Sequence, residues 1–472
     1  MTNRYKQYSL AVLLAVAGFS CKVTQRYQRP NDLPVTATYR GSNSTDSATI
    51  ANMPWKQLFI DPALQSLIQQ GLDNNLDLKV AVARIKAADA NLRQSKAAFL
   101  PSLAVDADYT RSKSSSAQLK AFGSGLGTTT IPTVNTYALT GTTSWEADVW
   151  GKLKSNKKAY VAALLQSEAY KRAVQTQLIA DIATNYYALL AYDKQLEITQ
   201  QTIDIRKKDI ITVKELKTAA TLTGADVVTS EANLYSAEVS VPDIVQNIRV
   251  TENAISLLLG AAPDSIVRSK MDDQTALAQL QTGVPVQLIS NRPDVQQAEY
   301  GLINKFELTN SARTYFYPSL TITATGGWAT ANTLKGFFDG TFYGNLVGGL
   351  TQPIFNQGLN KQRLKVAEAN QEEAVYTFKT TVLTAYQEVA NALSSYQTAA
   401  SKTEARTLQL QSLNKAVDYS KELLKFTSTT NYTDVLTAET NLLAAQISGI
   451  SDKLQQLQAV VTLYRALGGG WK

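Results

Sequence analysis

Residues 74–103 return without a gap at residues 291–320, 217 positions further on. Asn74, Asp77, Ala81, Phe99, Pro101, Ser102 and Leu103 meet identical partners at Asn291, Asp294, Ala298, Phe316, Pro318, Ser319 and Leu320. A second block repeats as well: Asp226-Val227-x-Thr229-x-Glu231-x-Asn233-Leu234 reappears at Asp434-Val435-x-Thr437-x-Glu439-x-Asn441-Leu442, 208 positions apart. A chain written twice folds as two copies of one supersecondary unit, and its function must come from what the pair builds. The copies read as residues 62–260 and 285–468, joined by a connecting segment 261–284 and followed by a tail 469–472.

Punctuation inside each copy is uneven. Residues 152–223 and 359–448 contain neither glycine nor proline, and stretches that long without a breaker predict helices. Ile182, Leu189, Leu196, Ile203 and Ile210 fall on a seven-residue spacing, as do Val382, Val389, Tyr396, Thr403, Leu410, Val417 and Leu424. Sustained heptads signal helices that supercoil around neighbours. At 1.5 Å per residue, a helix from Lys152 to Ala219 would be on the order of 100 Å long. Each long helix turns, near residues 219–225 or 427–433, into a shorter returning helix that ends at Gly260 or Gly468.

Between the first helix and the long helix of each copy the period becomes two. Leu103, Val105, Ala107 and Tyr109 alternate with Ala104, Asp106, Asp108 and Thr110. Tyr137, Leu139, Thr143, Trp145, Ala147 and Val149 alternate with Thr140, Thr142, Ser144, Glu146 and Asp148. In the second copy Leu320, Ile322, Ala324 and Trp328 alternate with Thr321, Thr323 and Thr325, and a glycine-rich fourth strand is expected near Phe342 to Ile354. One apolar and one polar face over ~10 residues is the pattern of a membrane-spanning strand. Residues 111–135 and 329–341 read as polar loops. Four strands cannot close a barrel, and an open edge in lipid leaves backbone groups unpaired, so the chain must be an oligomer. Two chains would give a barrel filled by side chains and three a water-filled one; the polar row of Thr, Ser and Asp favours the second.

The N-terminus sets the compartment. Arg4 and Lys6 precede an apolar run from Leu10 to Ala17, and Gly18-Phe19-Ser20 leads into Cys21, the one cysteine in the chain. Residues 1–20 have the layout of an export signal, and residues 21–61 follow as an N-terminal extension. Cys21 reads as a lipid attachment site, with a free thiol inside an ordinary signal as the other reading. Lys22 lacks the aspartate that in many bacteria retains a lipoprotein in the inner membrane, which points to the outer membrane. A disulfide within the chain is excluded. The absence of histidine removes the commonest general base and metal ligand, so no metal and no cofactor beyond the lipid is expected. The net charge of +7 is scattered, as for ordinary solubility rather than for a nucleic-acid surface. No phosphate-binding glycine loop precedes a helix, and no catalytic cluster is visible, so an enzyme is not expected.

Further fragments stand in a fixed order: Tyr27-Gln28-Arg29-Pro30, Trp55-x-x-x-Phe59-x-Asp61-Pro62-x-Leu64, Trp145-Glu146-x-Asp148-x-Trp150-Gly151, Asn291-Arg292-Pro293-Asp294-Val295, Gln352-Pro353-Ile354-Phe355 and Asp434-Val435-Leu436. On these the chain, from Cys21 to its C-terminus, resembles the TolC family of outer-membrane efflux channels, in the lipoprotein branch (NodT/OprM-like) that serves resistance-nodulation-division (RND) pumps. Departures are Thr24-Gln25 where a Gly-Pro pair is expected, and Ala220 and Ser428 where each tip turn usually has glycine. The resemblance implies a mixed, mostly helical membrane protein: a homotrimer whose twelve-stranded β-barrel lies in outer-membrane lipid and continues as a periplasmic α-helical barrel. It implies a passive exit channel that receives substrate from an inner-membrane RND pump through a periplasmic adaptor.

The resemblance also places the gate. Asp226 and Asp434 would form carboxylate rings facing the lumen, although each also stands where it could cap its returning helix. Thr437 occupies a position that often carries a second acid. The adaptor would dock at the tip turns, Ala220, Thr221, Leu222, Thr223 and Gly224 in one copy and Ser428, Thr429, Thr430 and Asn431 in the other. Asp73 and Asp77 would flank or cap the first helix, and Glu231 and Glu439 would make contacts between helices. The rivals are a periplasmic adaptor and a lipid-anchored coiled-coil scaffold without a channel. The first carries a single hairpin, and the second needs no alternating strands at matching positions.

Overall fold

The computed structural model describes residues 23–33, 38–40, 48–113, 115, 133–275, 282–283, 285–426 and 432–471. A leading helix α1 (Pro62–Asn74) starts at a proline in its first position, with Asp61 accepting from the Ala63 amide. The first copy then runs α2 (Leu76–Ala97), β1 (Ser102–Lys113), β2 (Thr133–Ala147), α3 (Lys152–Thr218) and α4 (Gly224–Leu258). The second runs α5 (Pro293–Thr314), β3 (Ser319–Ala331), β4 (Phe342–Thr351), α6 (Leu359–Phe426) and α7 (Tyr432–Ala466). Matched helices have 22 and 22, 67 and 68, and 35 and 35 residues, so the duplication extends to element length.

It extends to single contacts too. Asn75 Nδ2 donates to the carbonyl of Leu258 at the end of α4 (2.9 Å), and Arg292 Nη1, at the equivalent position, donates to the carbonyl of Ala466 at the end of α7 (2.8 Å). Each returning helix then ends in a left-handed glycine, Gly260 (φ 67°) and Gly468 (φ 87°). A Cβ at Gly260 would lie 2.8 Å from the Asn74 carbonyl oxygen, and one at Gly468 would lie 2.5 Å from that of Asn291. Both the backbone angle and the close approach require glycine there.

Two compact units form. One comprises Met1–Pro30, Ala87–Leu164 and Tyr300–Val375, the other Asn31–Lys86, Leu165–Glu299 and Tyr376–Lys472. The first holds an antiparallel sheet in the order β1-β2-β3-β4. Register decides what its faces are. Val105 stands opposite Gly141, Ala107 opposite Leu139 and Tyr109 opposite Tyr137; Leu139 is in turn opposite Trp328, which is opposite Phe342. Ala324 pairs with Leu346 and Leu320 with Leu350. Because side chains alternate, these form one continuous apolar face. The other carries Asp106 opposite Thr140, Ser144 opposite Thr323, and Thr325 opposite Asn345. The chain leaves its apolar face bare: Leu103 is 77% exposed, Leu346 72% and Leu350 68%.

Strands are longer than the alternation indicates, with β1 reaching Lys113 and β3 reaching Ala331, whereas β4 ends at Thr351 and leaves Ile354 outside. Polar residues at the strand ends hid the continued pairing, since Arg111 pairs with Asn135 and Thr136 with Ala331. Where β2 becomes α3, the Trp145 indole donates to the Phe99 carbonyl (2.9 Å) and the Trp150 indole to the Pro318 carbonyl (2.7 Å). Asp148 accepts from the amides of Leu153 (2.9 Å) and Lys154 (2.8 Å), and Gly151 takes a φ of 78°. This corner accounts for each quoted residue of the Trp145–Gly151 fragment except Glu146, which pairs with Lys152 at 3.0 Å.

The second unit buries Leu64, Ile68, Ile179, Ile182, Tyr186, Leu189, Leu190, Val295 and Leu463 almost completely. Ile182 and Leu189 are heptad positions, and Ile203 and Ile210 continue the buried row. Among the described residues no helix is long and apolar enough to cross a membrane.

Candidate functional site

The turn between α3 and α4 is built from two complementary caps. At the end of α3 the Thr221 amide donates to the Leu216 carbonyl and the Ala220 amide to the Lys217 carbonyl, both at 2.9 Å. That is a Schellman motif, and its left-handed position, usually glycine, is filled by Ala220 at φ 60°. At the start of α4 the Asp226 amide donates to Thr223 Oγ1 (3.4 Å), while Asp226 Oδ2 accepts from the Thr223 amide (2.8 Å) and hydroxyl (2.7 Å). Asp226 is therefore half of a capping box, and Gly224 opens the helix. Its carboxylate also sits at the positive end of the helix dipole.

Asp434 occupies the first turn of α7 and is exposed. Ser428, Thr429, Thr430 and Asn431 of the second tip turn lie outside the described residues, as does Cys21. Beside the end of α3 and the starts of α4 and α7 the hairpins pack together. Val213 of α3, Val227 of α4, and Tyr432, Val435 and Leu436 of α7 form a buried cluster, with Leu222 and Leu424 against it. Burying such side chains stabilises by roughly 1.5–3 kcal/mol each. Within it the hydroxyls of Tyr432 and Ser230 share a hydrogen bond of 3.0 Å.

Deeper along the helices, ion pairs stand beside the apolar contacts of Ile203, Ile210 and Leu234. Lys421 of α6 lies 2.6 Å from Glu439 of α7 and 3.3 Å from Asp209 of α3, and Arg206 of α3 donates to the Asn233 carbonyl of α4. Burial holds the Glu439 carboxyl above its ordinary range, with Lys421 pulling against it and Asp209 adding to it. Burial disfavours the Lys421 ammonium, but its bonds to Glu439 and Asp209 outweigh that and raise its pKa. Glu231 pairs with Lys214 across α3 and α4 at 2.9 Å, so both glutamates make contacts between helices.

Two hubs escaped recognition as sites. The Asp61 carboxylate is buried and accepts from the Tyr186 hydroxyl (2.7 Å), Gln274 Nε2 (2.8 Å), Ser269 Oγ (3.0 Å) and the Ala63 amide (2.9 Å). Arg292 is bidentate to Asp294, at 3.0 and 2.6 Å, and lies 2.8 Å from Glu388. Their signal was present in the Trp55–Leu64 and Asn291–Val295 fragments, but the partners are remote in sequence. Asp77 stands in the first turn of α2, and Asp73 accepts from Gln69 near the end of α1.

This arrangement offers caps, buried ion pairs and apolar seams, and the described residues contain no group of carboxylates able to hold a metal ion. The profile of the family described as outer membrane efflux protein matches residues 67–261 and 284–469. The outer membrane protein OprJ of Pseudomonas aeruginosa is 30% identical over 471 residues, covering 98% of this chain and 95% of that protein. The toluene efflux pump outer membrane protein TtgF of Pseudomonas putida is 30% identical over 488 residues, covering 99% and 97%. Among solved structures, a membrane protein from Pseudomonas aeruginosa is similar with a TM-score of 0.85 at 28% identity, covering 95% of this chain and 100% of that one. The open state of the Neisseria gonorrhoeae MtrE outer membrane channel gives 0.84 at 25% identity, covering 96% and 99%.

Proposed function

The chain belongs to the outer membrane efflux protein family, and on that premise we propose that it is the passive exit channel of a tripartite efflux system. It is a transport component of the outer membrane and not an enzyme. The observation that carries the reading is the four-stranded sheet, with a bare apolar face, a polar face and open edges at β1 and β4. Three chains pairing β4 of one with β1 of the next would give twelve strands, an apolar exterior in lipid and a polar lumen. The helices then continue the lumen into the periplasm as a tube ending at the tip turns. Cys21 carries the lipid, a second anchor beside the barrel.

An inner-membrane RND pump hands substrate to this duct through a periplasmic adaptor that grips the tip turns, Ala220–Gly224 and Ser428–Asn431, and binds the open state better than the closed one. Threefold symmetry sets three copies of Asp434, with Asp226 beside them, at the narrow end. Clustered carboxylates repel one another and favour cations. The exposure of Asp434 at the start of α7 supports this reading.

The test is single-channel conductance of the purified protein in planar bilayers, wild type beside Asp434→Ala. Small cation-favouring steps that enlarge or lose selectivity in the variant are expected. No steps from either protein would reject the channel, and equal steps would move the gate away from Asp434. Cys21→Ala is expected to lose the lipid mass yet still need detergent for extraction.

A further inference from the structure

The apolar face of β1 ends in charge. The pairing with β2 runs unbroken from Ser102 opposite Ser144 to Lys113 opposite Thr133. Because side chains alternate, Arg111 and Lys113 stand on the same face as Leu103, Val105, Ala107 and Tyr109, while Asp106 and Asp108 stand on the other.

Aromatic rings mark where the apolar band stops. On this face Tyr109 packs against Tyr137 with ring centroids 5.2 Å apart, and two strands further along Trp328 packs against Phe342 at 5.6 Å. Such rings settle at the boundary between hydrocarbon and headgroups. Arg111 and Lys113 follow two and four residues beyond Tyr109, about 5 and 10 Å higher at the usual strand tilt, which puts them at the level of the headgroups.

Neither cation is spent inside the protein. Both are exposed, no described carboxylate pairs with either, and residues 111–135 contain no aspartate or glutamate at all. The β3–β4 turn differs, since it carries one charge of each sign, Lys335 and Asp339. Excess positive charge at this end of the sheet is therefore gathered on β1. Two cations about 7 Å apart on one face of a strand repel, and an anion between them relieves that repulsion.

We propose that Arg111 and Lys113 dock an anionic lipid of the outer leaflet by the phosphates of its headgroup. The planar fork of Arg111 suits phosphate oxygens, Lys113 adds a second point charge, and the acyl chains run down the row from Tyr109 to Leu103. A pair of cations fits a headgroup with more than one phosphate better than a zwitterionic one, whose own amine cancels its charge. The inference rests on the reading of the sheet as part of a membrane barrel, with the helices at the periplasmic end.

The probe is diphosphoryl lipid A, added to the purified full chain in detergent, with bound lipid counted by native mass spectrometry and phosphatidylethanolamine as the zwitterionic match. Lipid A is expected to bind about tenfold more tightly than phosphatidylethanolamine. Arg111→Gln alone should weaken lipid A by about threefold, and Arg111→Gln combined with Lys113→Gln by about tenfold, with melting temperature and conductance unchanged. Equal affinity for the two lipids, or a double variant that binds lipid A as well as wild type does, would overturn the site. So would displacement by inorganic phosphate beyond that by chloride at equal ionic strength, which would mark a free-anion site. A protein without conductance that still binds lipid A in this pattern would reject the channel and keep the site; a conducting protein without the binding would do the reverse.

Discussion

The hydroxyls of Tyr432 and Ser230 lie 3.0 Å apart, both buried, and join α7 of one hairpin to α4 of the other beside the starts of both helices. Any outward movement of α7 must break this bond and open the apolar cluster around it. Tyr432→Phe keeps the ring in place but leaves the Ser230 hydroxyl unpaired, at a cost of about 1 kcal/mol. The variant is expected to melt slightly earlier and to spend more time in the larger conductance state. A bilayer record indistinguishable from wild type would mean that the hairpins move together.

Lys421 is the cation on which Glu439 and Asp209 converge. Glu439 is 8% exposed and Lys421 32%, so removing the ammonium strands one buried carboxylate, at about 2–3 kcal/mol after allowing for solvent. The sign with pH follows from the direction of the Glu439 shift. A carboxyl whose folded pKa is raised destabilises the fold once ionised, and that loss disappears as pH falls toward its unfolded value near 4.5. Lys421→Met should therefore recover melting temperature between pH 8 and pH 5 relative to wild type. Thermal scans of both proteins across that range decide it.

Asp61 behaves oppositely. Burial alone would raise its pKa, but the hydrogen bonds from Tyr186, Ala63, Ser269 and Gln274 together lower it. A carboxyl depressed in the folded state contributes stability that is full above its unfolded value near 3.8 and lost as pH falls through the lower folded value. Asp61→Asn turns one of two accepting oxygens into a donor that faces two donors, costing about 2–3 kcal/mol. The variant is expected to melt earlier at pH 7 and to approach wild type only as the pH falls below 3.8, as read by circular dichroism.

These hubs mark the limit of what the sequence reveals. Alternation along Leu103–Tyr109 and Leu320–Trp328 foretold the apolar face, since a period of two is local and needs no partner. A capping role for Asp226 was equally legible from its place at the helix start, but the structure makes Thr223 the cap and Asp226 its partner three residues on. Asp61 stood inside a quoted fragment, yet its role depends on Tyr186, 125 positions away, and on Gln274, 213 positions away. Lys421 gave no signal at all: a lysine on a long polar helix reads as solvated until α3 brings Asp209 beside it. The ends of β1 and β3 were missed because polar rim residues interrupt the pattern while the backbone ladder continues.

The two readings of Asp226 can be separated, since its Oδ2 atom accepts both the amide and the hydroxyl of Thr223. That bond holds the first turn of α4 whatever faces the lumen, and losing a cap costs about 1 kcal/mol. Asp226→Ala should therefore fray the turn, seen as faster hydrogen exchange at the Thr223 amide that loses its acceptor, and lower the melting temperature modestly. Asp226→Asn keeps an accepting oxygen and should restore the turn without restoring the charge. If Asp226 acts through the cap, cation selectivity follows neither substitution and responds to Asp434→Ala alone. If selectivity instead falls equally in Asp226→Ala and Asp226→Asn, the charge itself faces the passing ions and the cap is incidental to the gate.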